Sequence, residues 1–221
     1  MKNLYNALQL KQLYQLKNMG YCYTSAKPFS HKEQNPLELP NSLEELKKQA
    51  KNCHLCSLSK SCKQALFGEG DPNADIMFVG DIPMELEDNE GGVFLGHGGE
   101  MLTLMIERVL GLSRQDVYLT NLIKCHPAHA QKVQKTQFHT CKAYLFKEIE
   151  LVKPKVIVTF GELALHYISG EKGIFSELRG NVISNENYKI LPTYHPNFLL
   201  KNPSYKREVF EDLKRVGGLC F

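Results

Sequence analysis

The stretch Ile76-Met77-Phe78-Val79-Gly80 is a short apolar run that ends in glycine, which predicts a buried β-strand. Further strands are predicted at residues 117–123, 155–161 and 188–191. Helices are predicted between and after these strands, at residues 98–110, 136–152, 162–168 and 203–216. Strands that alternate with helices predict an α/β fold, here a three-layer α/β/α domain around a four-stranded, mainly parallel sheet.

Polar residues follow the predicted strands, at the point where each strand ends. Asp81 comes directly after the first strand, Asn121 lies near the end of the second, and Glu162 and His195 follow the last two. In parallel sheets, ligands bind beyond the carboxyl ends of the strands. The sequence therefore predicts a functional site at this edge of the sheet.

The first 41 residues differ in character from the rest of the chain. Residues 1–20 have the apolar spacing of an amphipathic helix, and residues 24–41 contain three prolines among polar residues, which predicts a linker. The sequence Ser42-Leu43-Glu44-Glu45 matches a capping box and predicts a helix through about residue 52. We expect the globular domain to span residues 42–221.

The composition allows one sizeable core, since 43% of the 221 residues are hydrophobic. The formal charge of +3 permits a nucleic-acid partner without arguing for one. No apolar run approaches the ~18–20 residues that span a bilayer, and no export signal is evident. We therefore expect a cytoplasmic protein without a membrane partner, in which clustered cysteines bind metal or do redox chemistry.

Four of the seven cysteines form two pairs. Cys53 and Cys56 form a C-x-x-C pair, whereas Cys125 and Cys141 are 16 residues apart. Thiolates bind both zinc and iron–sulfur clusters. A zinc ribbon usually has two close pairs, so this spacing favours a cluster, although zinc or plain burial of small side chains stays open.

Several further motifs lie at or around these cysteines: C-H-L-C-S-L, F-G-E-G-D-P-N-A-D-I-M-F-V-G, V-Y-L-T-N-L-I-K-C, K-P-K-V-I-V-T-F-G and P-T-Y-H-P-N-F-L-L-K-N-P. Together they resemble the family 4, or iron–sulfur, uracil-DNA glycosylases. The resemblance runs from about residue 43 to 216 and implies a uracil-DNA glycosylase-like fold. It also implies a structural [4Fe-4S] cluster held by Cys53, Cys56, Cys125 and Cys141, and a monomer that acts on uracil in single- or double-stranded DNA.

The resemblance also implies which residues bind the base. Phe94 would stack on an extruded uracil, and Asn121 would pair with its N3–H and O4. Ile82 and Glu87 would line the same pocket, with Glu87 near uracil C5, where it would bar the methyl group of thymine.

Two residues are implied in catalysis. His195 would stabilise the charge that develops on uracil O2. Asp81 would position water or stabilise the cationic sugar. The family usually has G-E-[AG]-P-G at motif I, whereas this chain has G-D-I-P-M, which ends in Met84. Asp81 could equally cap a turn.

Contact with DNA is expected from a loop after His195, where Leu199 and Leu200 would form an apolar wedge and Lys201 would lie near phosphates. The leading hypothesis is a monofunctional glycosylase that removes uracil in base excision repair. The alternative, motivated by the motif I departures, is a protein that binds DNA or a damaged base with weak or no hydrolysis.

Overall fold

The computed structural model describes residues 39–128 and 132–220. The predicted helix at residues 1–20 and nearly all of the predicted linker lie outside this part of the chain, so the division at residue 42 stays a prediction. No helix in the described residues is long and apolar enough to cross a membrane.

In the described residues, strands form one sheet in the order β1-β3-β2-β4-β6-β5. Their bounds are β1 (Glu69–Gly70), β2 (Ile76–Gly80), β3 (Tyr118–Asn121), β4 (Val156–Phe160), β5 (Ile183–Ser184) and β6 (Lys189–Thr193). The four central strands are parallel, and the two edge strands are antiparallel to their neighbours. The predicted α/β fold with its four strands is confirmed. The edge strands are additional, because two residues are too few to produce a strand pattern in a sequence.

Each predicted helix within the described residues is present, and three short helices, at residues 85–90, 175–178 and 196–201, were not predicted. Their bounds are α1 (Leu43–Lys51), α2 (Glu85–Glu90), α3 (Gly96–Met105), α4 (Lys135–Val152), α5 (Glu162–Ser169), α6 (Phe175–Leu178), α7 (Pro196–Lys201) and α8 (Lys206–Cys220). Helix α3 continues as a π-helical turn over Ile106–Leu110, and 3₁₀ turns cover Ser57–Lys60 and Pro203–Tyr205. The predicted cap of α1 is present, since Glu45 N donates to Ser42 Oγ at 3.2 Å.

Alternate side chains of β2 point to opposite faces of the sheet. Met77 and Val79 belong to a buried cluster that includes residues of α4 and α5. Ile76 and Phe78 belong to a second cluster with residues of α3 and α8. Helices therefore cover both faces of the sheet, which confirms the three-layer arrangement.

The parallel strands end level with one another. Gly80 pairs with Asn121, and Phe160 pairs with Thr193. The chain continues this pairing just beyond the strands, where Leu122 N donates to Gly80 O at 2.8 Å and Gly161 N donates to Thr193 O at 3.1 Å. This common edge is where the sequence predicts the site.

Candidate active site and metal centre

The side chains of Asn121 and Phe94 converge on Gly80. A Cβ atom at Gly80 would lie 2.3 Å from Asn121 Oδ1 and 2.9 Å from Phe94 Cζ, so only glycine leaves room for both. The structure therefore brings together the two residues that the sequence predicts as base reader and stacking surface.

Asn121 is buried at the end of β3, with 2% of its surface exposed. Its Nδ2 is buried and has no hydrogen-bond partner among the described residues. A buried donor without a partner costs about 1–3 kcal/mol, so such groups are rare unless a ligand satisfies them. The Asn121 amide is thus available to a polar molecule that enters beside Phe94.

Phe94 is held in an unusual backbone conformation. Its φ of 51° lies in the left-handed region, which is uncommon for a bulky residue. Its ring lies 6.0 Å from the His195 ring at an interplanar angle of 28°, and it meets Phe160 edge-on at 5.7 Å. Strained backbone of this kind persists only where neighbouring contacts impose it.

Glu87 and Gly99 supply contacts around the Phe94 loop. The Glu87 carboxylate accepts from Leu95 N at 3.2 Å through Oε1 and from Met84 N at 2.7 Å through Oε2. A Cβ at Gly99 would lie 1.8 Å from the Phe94 carbonyl oxygen, so α3 approaches this loop closely. Burial raises the pKa of Glu87, and these backbone amides oppose that rise. Oε1 thus braces the Phe94 loop and Oε2 caps the start of α2, and the predicted contact of Glu87 with the base stays a prediction.

His195 is held as a neutral imidazole. Its Nδ1 accepts from Asn197 N at 3.1 Å, at the start of α7. Burial lowers the pKa of His195 to about 4. Because Nδ1 is an acceptor and the ring is uncharged, the proton is on Nε2, which is therefore a donor.

Asp81 lies at the N-terminal end of α5. Its Oδ1 accepts from Ala164 N at 2.6 Å, and a Cβ at Gly161 would lie 2.9 Å from Oδ2. Burial, aided by the nearby charge of Glu162, raises the pKa of Asp81 to about 7. The carboxyl group thus contacts a helix end, as a capping role requires, and still titrates near neutrality, as a catalytic carboxylate often does.

Two further residues of motif I, Ile82 and Met84, follow Asp81. Ile82 lines a surface cavity with Phe138, Leu163 and Tyr167, so its predicted contact with the base stays untested. Met84 is 47% exposed, and its Sδ accepts from Asn197 Nδ2 at 2.8 Å. This contact joins the loop after β2 to the loop that carries His195.

The predicted DNA-binding loop is a helix, α7, and this corrects the role of Leu199. Leu199 is fully buried in the core beneath α7, so it is not an exposed wedge. Leu200 is 41% exposed and Lys201 is exposed at the end of the helix, and their contact with DNA stays a prediction. The difference arises because helical spacing turns consecutive residues to different faces.

The predicted metal ligands come together. Cys53, Cys56, Cys125 and Cys141 line one cavity between the end of α1, the segment after β3, and α4. Burial raises the pKa of the Cys141 thiol to about 11 and raises that of Cys125 as well, so thiolates here need a positively charged partner.

The chemistry of these side chains decides which metal groups they fit. Four thiols are a ligand set for a [4Fe-4S] cluster and also for a structural zinc ion. The residues present therefore fit an iron–sulfur cluster, with zinc as the alternative.

Comparison with known proteins identifies the family of this chain. A family model described as the uracil DNA glycosylase superfamily matches residues 67–214. The chain is 36% identical to the type-4 uracil-DNA glycosylase of Sulfurisphaera tokodaii, over 81% of this chain and 86% of that protein. The chain belongs to this superfamily.

Two further relatives narrow the assignment within the superfamily. The type-4 uracil-DNA glycosylase of Thermotoga maritima is 35% identical over 79% of this chain and 92% of its own length. A type-5 uracil-DNA glycosylase of Pyrobaculum aerophilum is 29% identical over 60% of this chain and 66% of its own length. The predicted membership of family 4 is confirmed.

The sequence did not identify Lys124 and Glu148, a buried ion pair beside Asn121 in this uracil-DNA glycosylase superfamily member. Charged residues are almost never fully buried, so a sequence pattern assigns them to the surface by default. The available signal was the position of Lys124 between the two site residues Asn121 and Cys125.

We predict that Gly80→Ala impairs uracil excision without unfolding the protein. The added methyl group would displace the Asn121 amide or the Phe94 ring, and misplacement by ~1 Å can cost roughly a hundredfold in rate. Gly218→Ala is the control, because a Cβ there meets nothing within 4 Å. Steady-state kinetics on a uracil-containing oligonucleotide checks this, and equal rates for both variants would contradict the placement of the pocket.

We predict that one histidine stays neutral down to about pH 4, because burial lowers the pKa of His195 to that value. NMR titration of ¹⁵N-labelled histidine side chains measures the midpoint and the tautomer. The resonance should report an Nε2–H tautomer and vanish in His195→Asn. A His195 midpoint at or above the ordinary value of 6.5 would contradict the buried, neutral ring.

Proposed function

We propose that this chain is a monofunctional uracil-DNA glycosylase that hydrolyses the N-glycosidic bond of deoxyuridine in DNA and leaves an abasic site for base excision repair. The observation that carries the proposal is the unpaired amide nitrogen of Asn121, buried beside Phe94 and over Gly80. The family membership and the names of the relatives support the same activity. They do not favour the alternative of a DNA-binding protein without hydrolysis.

Base recognition follows from hydrogen-bond chemistry. The glycosidic bond is unreachable inside the stack, so uracil must leave the duplex and enter the pocket. Asn121 Nδ2 then donates to uracil O4, while Oδ1 accepts from N3–H. Cytosine has an amino group at position 4, which would face the Asn121 donor and leave both unsatisfied. Phe94 provides the stacking surface, worth about 1–3 kcal/mol.

Bond cleavage uses His195 and Asp81. As the C1′–N1 bond breaks, its electron pair leaves with uracil, and His195 Nε2–H donates to the charge that develops on O2. A water oxygen then bonds to C1′ of the sugar, and the ionised Asp81 carboxylate orients that water and accepts its proton. The tautomer and neutrality of His195 suit a donor that adds no charge of its own.

We also propose that Cys53, Cys56, Cys125 and Cys141 hold a [4Fe-4S] cluster. When bound, the cluster supplies a structural cross-link and no redox step. The four cysteines line one cavity, so a bound cluster would join the segment after α1, helix α4 and the segment that follows the base reader. Purified protein should be brown and absorb in the visible range, whereas colourless protein that contains zinc would refute the cluster.

Asn121→Ala is the most direct test of the proposed pocket. Loss of two hydrogen bonds to the base should lower kcat/KM on a uracil-containing oligonucleotide by roughly 10- to 100-fold. Thr159→Val is a matched control, because Thr159 Oγ1 is also buried with no partner in the described part of the chain but lies within β4. Alkali cleavage of the product reports excision. No excision by the wild-type protein above the Asn121→Ala background would refute the function.

We predict that the excision rate rises with pH through about 7. The pKa of Asp81 is raised to about 7, and its ionised form is the active one, so the rate should be lower below that pH. Asp81→Asn keeps an acceptor for Ala164 N but should abolish this dependence of the rate on pH and lower the rate by roughly a hundredfold. Glu162→Gln should shift the rise in rate to lower pH, since the Glu162 charge raises the pKa of Asp81. Unchanged turnover in Asp81→Asn would exclude Asp81 from catalysis.

A further inference from the structure

A fully buried ion pair lies between the predicted base reader and the cysteine cavity. Lys124 is 2% exposed and Glu148 is 0% exposed. The Lys124 ammonium forms the ion pair with Glu148 Oε2, and it donates to Thr120 Oγ1 at 2.7 Å and to Asn121 O at 2.8 Å. All three donors of the ammonium group are therefore used.

Glu148 is equally well satisfied. Its Oε1 accepts from Gly68 N at 3.0 Å and from the Tyr118 hydroxyl at 3.2 Å. Thr120 Oγ1 lies 3.1 Å from Oε2. The carboxylate thus joins helix α4 to the segment before β1 and to two residues of β3, which ends at Asn121.

The main chain of Lys124 ties the same segment to the cysteine cavity. Its N–H donates to Cys141 Sγ at 3.4 Å, and its carbonyl accepts from Leu66 N at 2.6 Å. Cys125 is the next residue, and Cys141 and Glu148 both lie on α4. One residue therefore contacts the base reader through its ammonium group and a predicted cluster ligand through its amide.

A buried ion pair of this kind adds little to the stability of the fold. The cost of burying two charges offsets most of their attraction, and apolar residues of similar volume often serve the fold as well or better. The fully bonded ammonium group instead fixes the position of the Asn121 carbonyl relative to helix α4 through its hydrogen bonds. The adjacent Asn121 side chain is then held with its amide unpaired.

We propose that Lys124 and Glu148 are positioning residues for base recognition. They hold the main chain of Asn121 against the wall of the cysteine cavity, so that the amide is oriented before uracil arrives. This inference rests on the proposed function of Asn121 as base reader. It assigns the ion pair to uracil recognition and to the chemical step rather than to the affinity for DNA as a whole.

The test uses the double variant Lys124→Met/Glu148→Gln in the full-length protein with its cluster. Neither charge is then left buried without its partner, and the glutamine keeps an acceptor for Gly68 N and the Tyr118 hydroxyl. The variant should therefore fold and keep the visible absorbance of the cluster. We expect kcat for uracil excision to fall by roughly tenfold and KM to rise by a similar factor, because a misdirected Asn121 amide contacts uracil less well in both the bound state and the transition state.

A binding measurement separates positioning from a structural role. An oligonucleotide that carries 2′-fluoro-2′-deoxyuridine, whose glycosidic bond resists cleavage, is compared with the same oligonucleotide carrying thymidine. The ratio of the two affinities should fall by roughly tenfold in the double variant. The surface pair Lys155–Asp75 lies where β4 and β2 begin, at the edge of the sheet opposite the site. It provides the control Lys155→Gln/Asp75→Asn, which should leave kcat and the affinity ratio unchanged.

The outcomes distinguish this inference from the proposed function. Wild-type protein without excision, or an Asn121→Ala variant with full activity, refutes the base reader itself. If both behave as expected but the double variant keeps the wild-type kcat and affinity ratio, the positioning role is refuted. If the double variant loses its cluster, the single variant Glu148→Gln decides, because it also keeps the Lys124 ammonium group and its bonds to Thr120 and Asn121. A cluster-containing Glu148→Gln protein should lose kcat, and wild-type kcat would overturn the inference.

Discussion

The parallel register of β2 and β3 is the constraint on which the site depends. It sets Gly80 directly beside Asn121, and the missing side chain at Gly80 is what allows the Asn121 amide and the Phe94 ring to approach each other. A shift of one residue would exchange the β2 side chains that pack in the two helical layers, so close packing of these side chains in both layers fixes this register. The geometry of recognition is thus a consequence of how the core packs.

Burial also sets the charge states at the strand ends. It lowers the pKa of His195 and raises that of Asp81, so the histidine is neutral and the carboxyl group titrates near neutrality. The same low-polarity surroundings hold the Asn121 donor without a partner. Each of these states costs stability in the free protein, and the hydrophobic layers on both faces of the sheet offset that cost.

The sequence predicted the features that periodicity and burial control. The apolar runs at 76–80 and 155–161 became central strands, and the four spaced cysteines met in one cavity. The features it missed depend on tertiary contacts. Leu199 belongs to the buried face of a short helix rather than to a loop, and Lys124 is buried although lysine usually is not. No local pattern encodes the partner that makes such a buried charge tolerable.

The central claim is that the Asn121 amide donates to O4 of an extruded uracil. The most direct measurement is a double cycle of protein and substrate, in which wild-type protein and Asn121→Ala each act on DNA that carries uracil or 4-thiouracil, which keeps N3–H and has sulfur, a weaker acceptor, in place of O4. Wild-type protein should lose roughly tenfold in kcat/KM when O4 is replaced, and Asn121→Ala should be nearly indifferent. An equal loss in both proteins would show that no coupling exists between Asn121 and O4, and would contradict this account of the site.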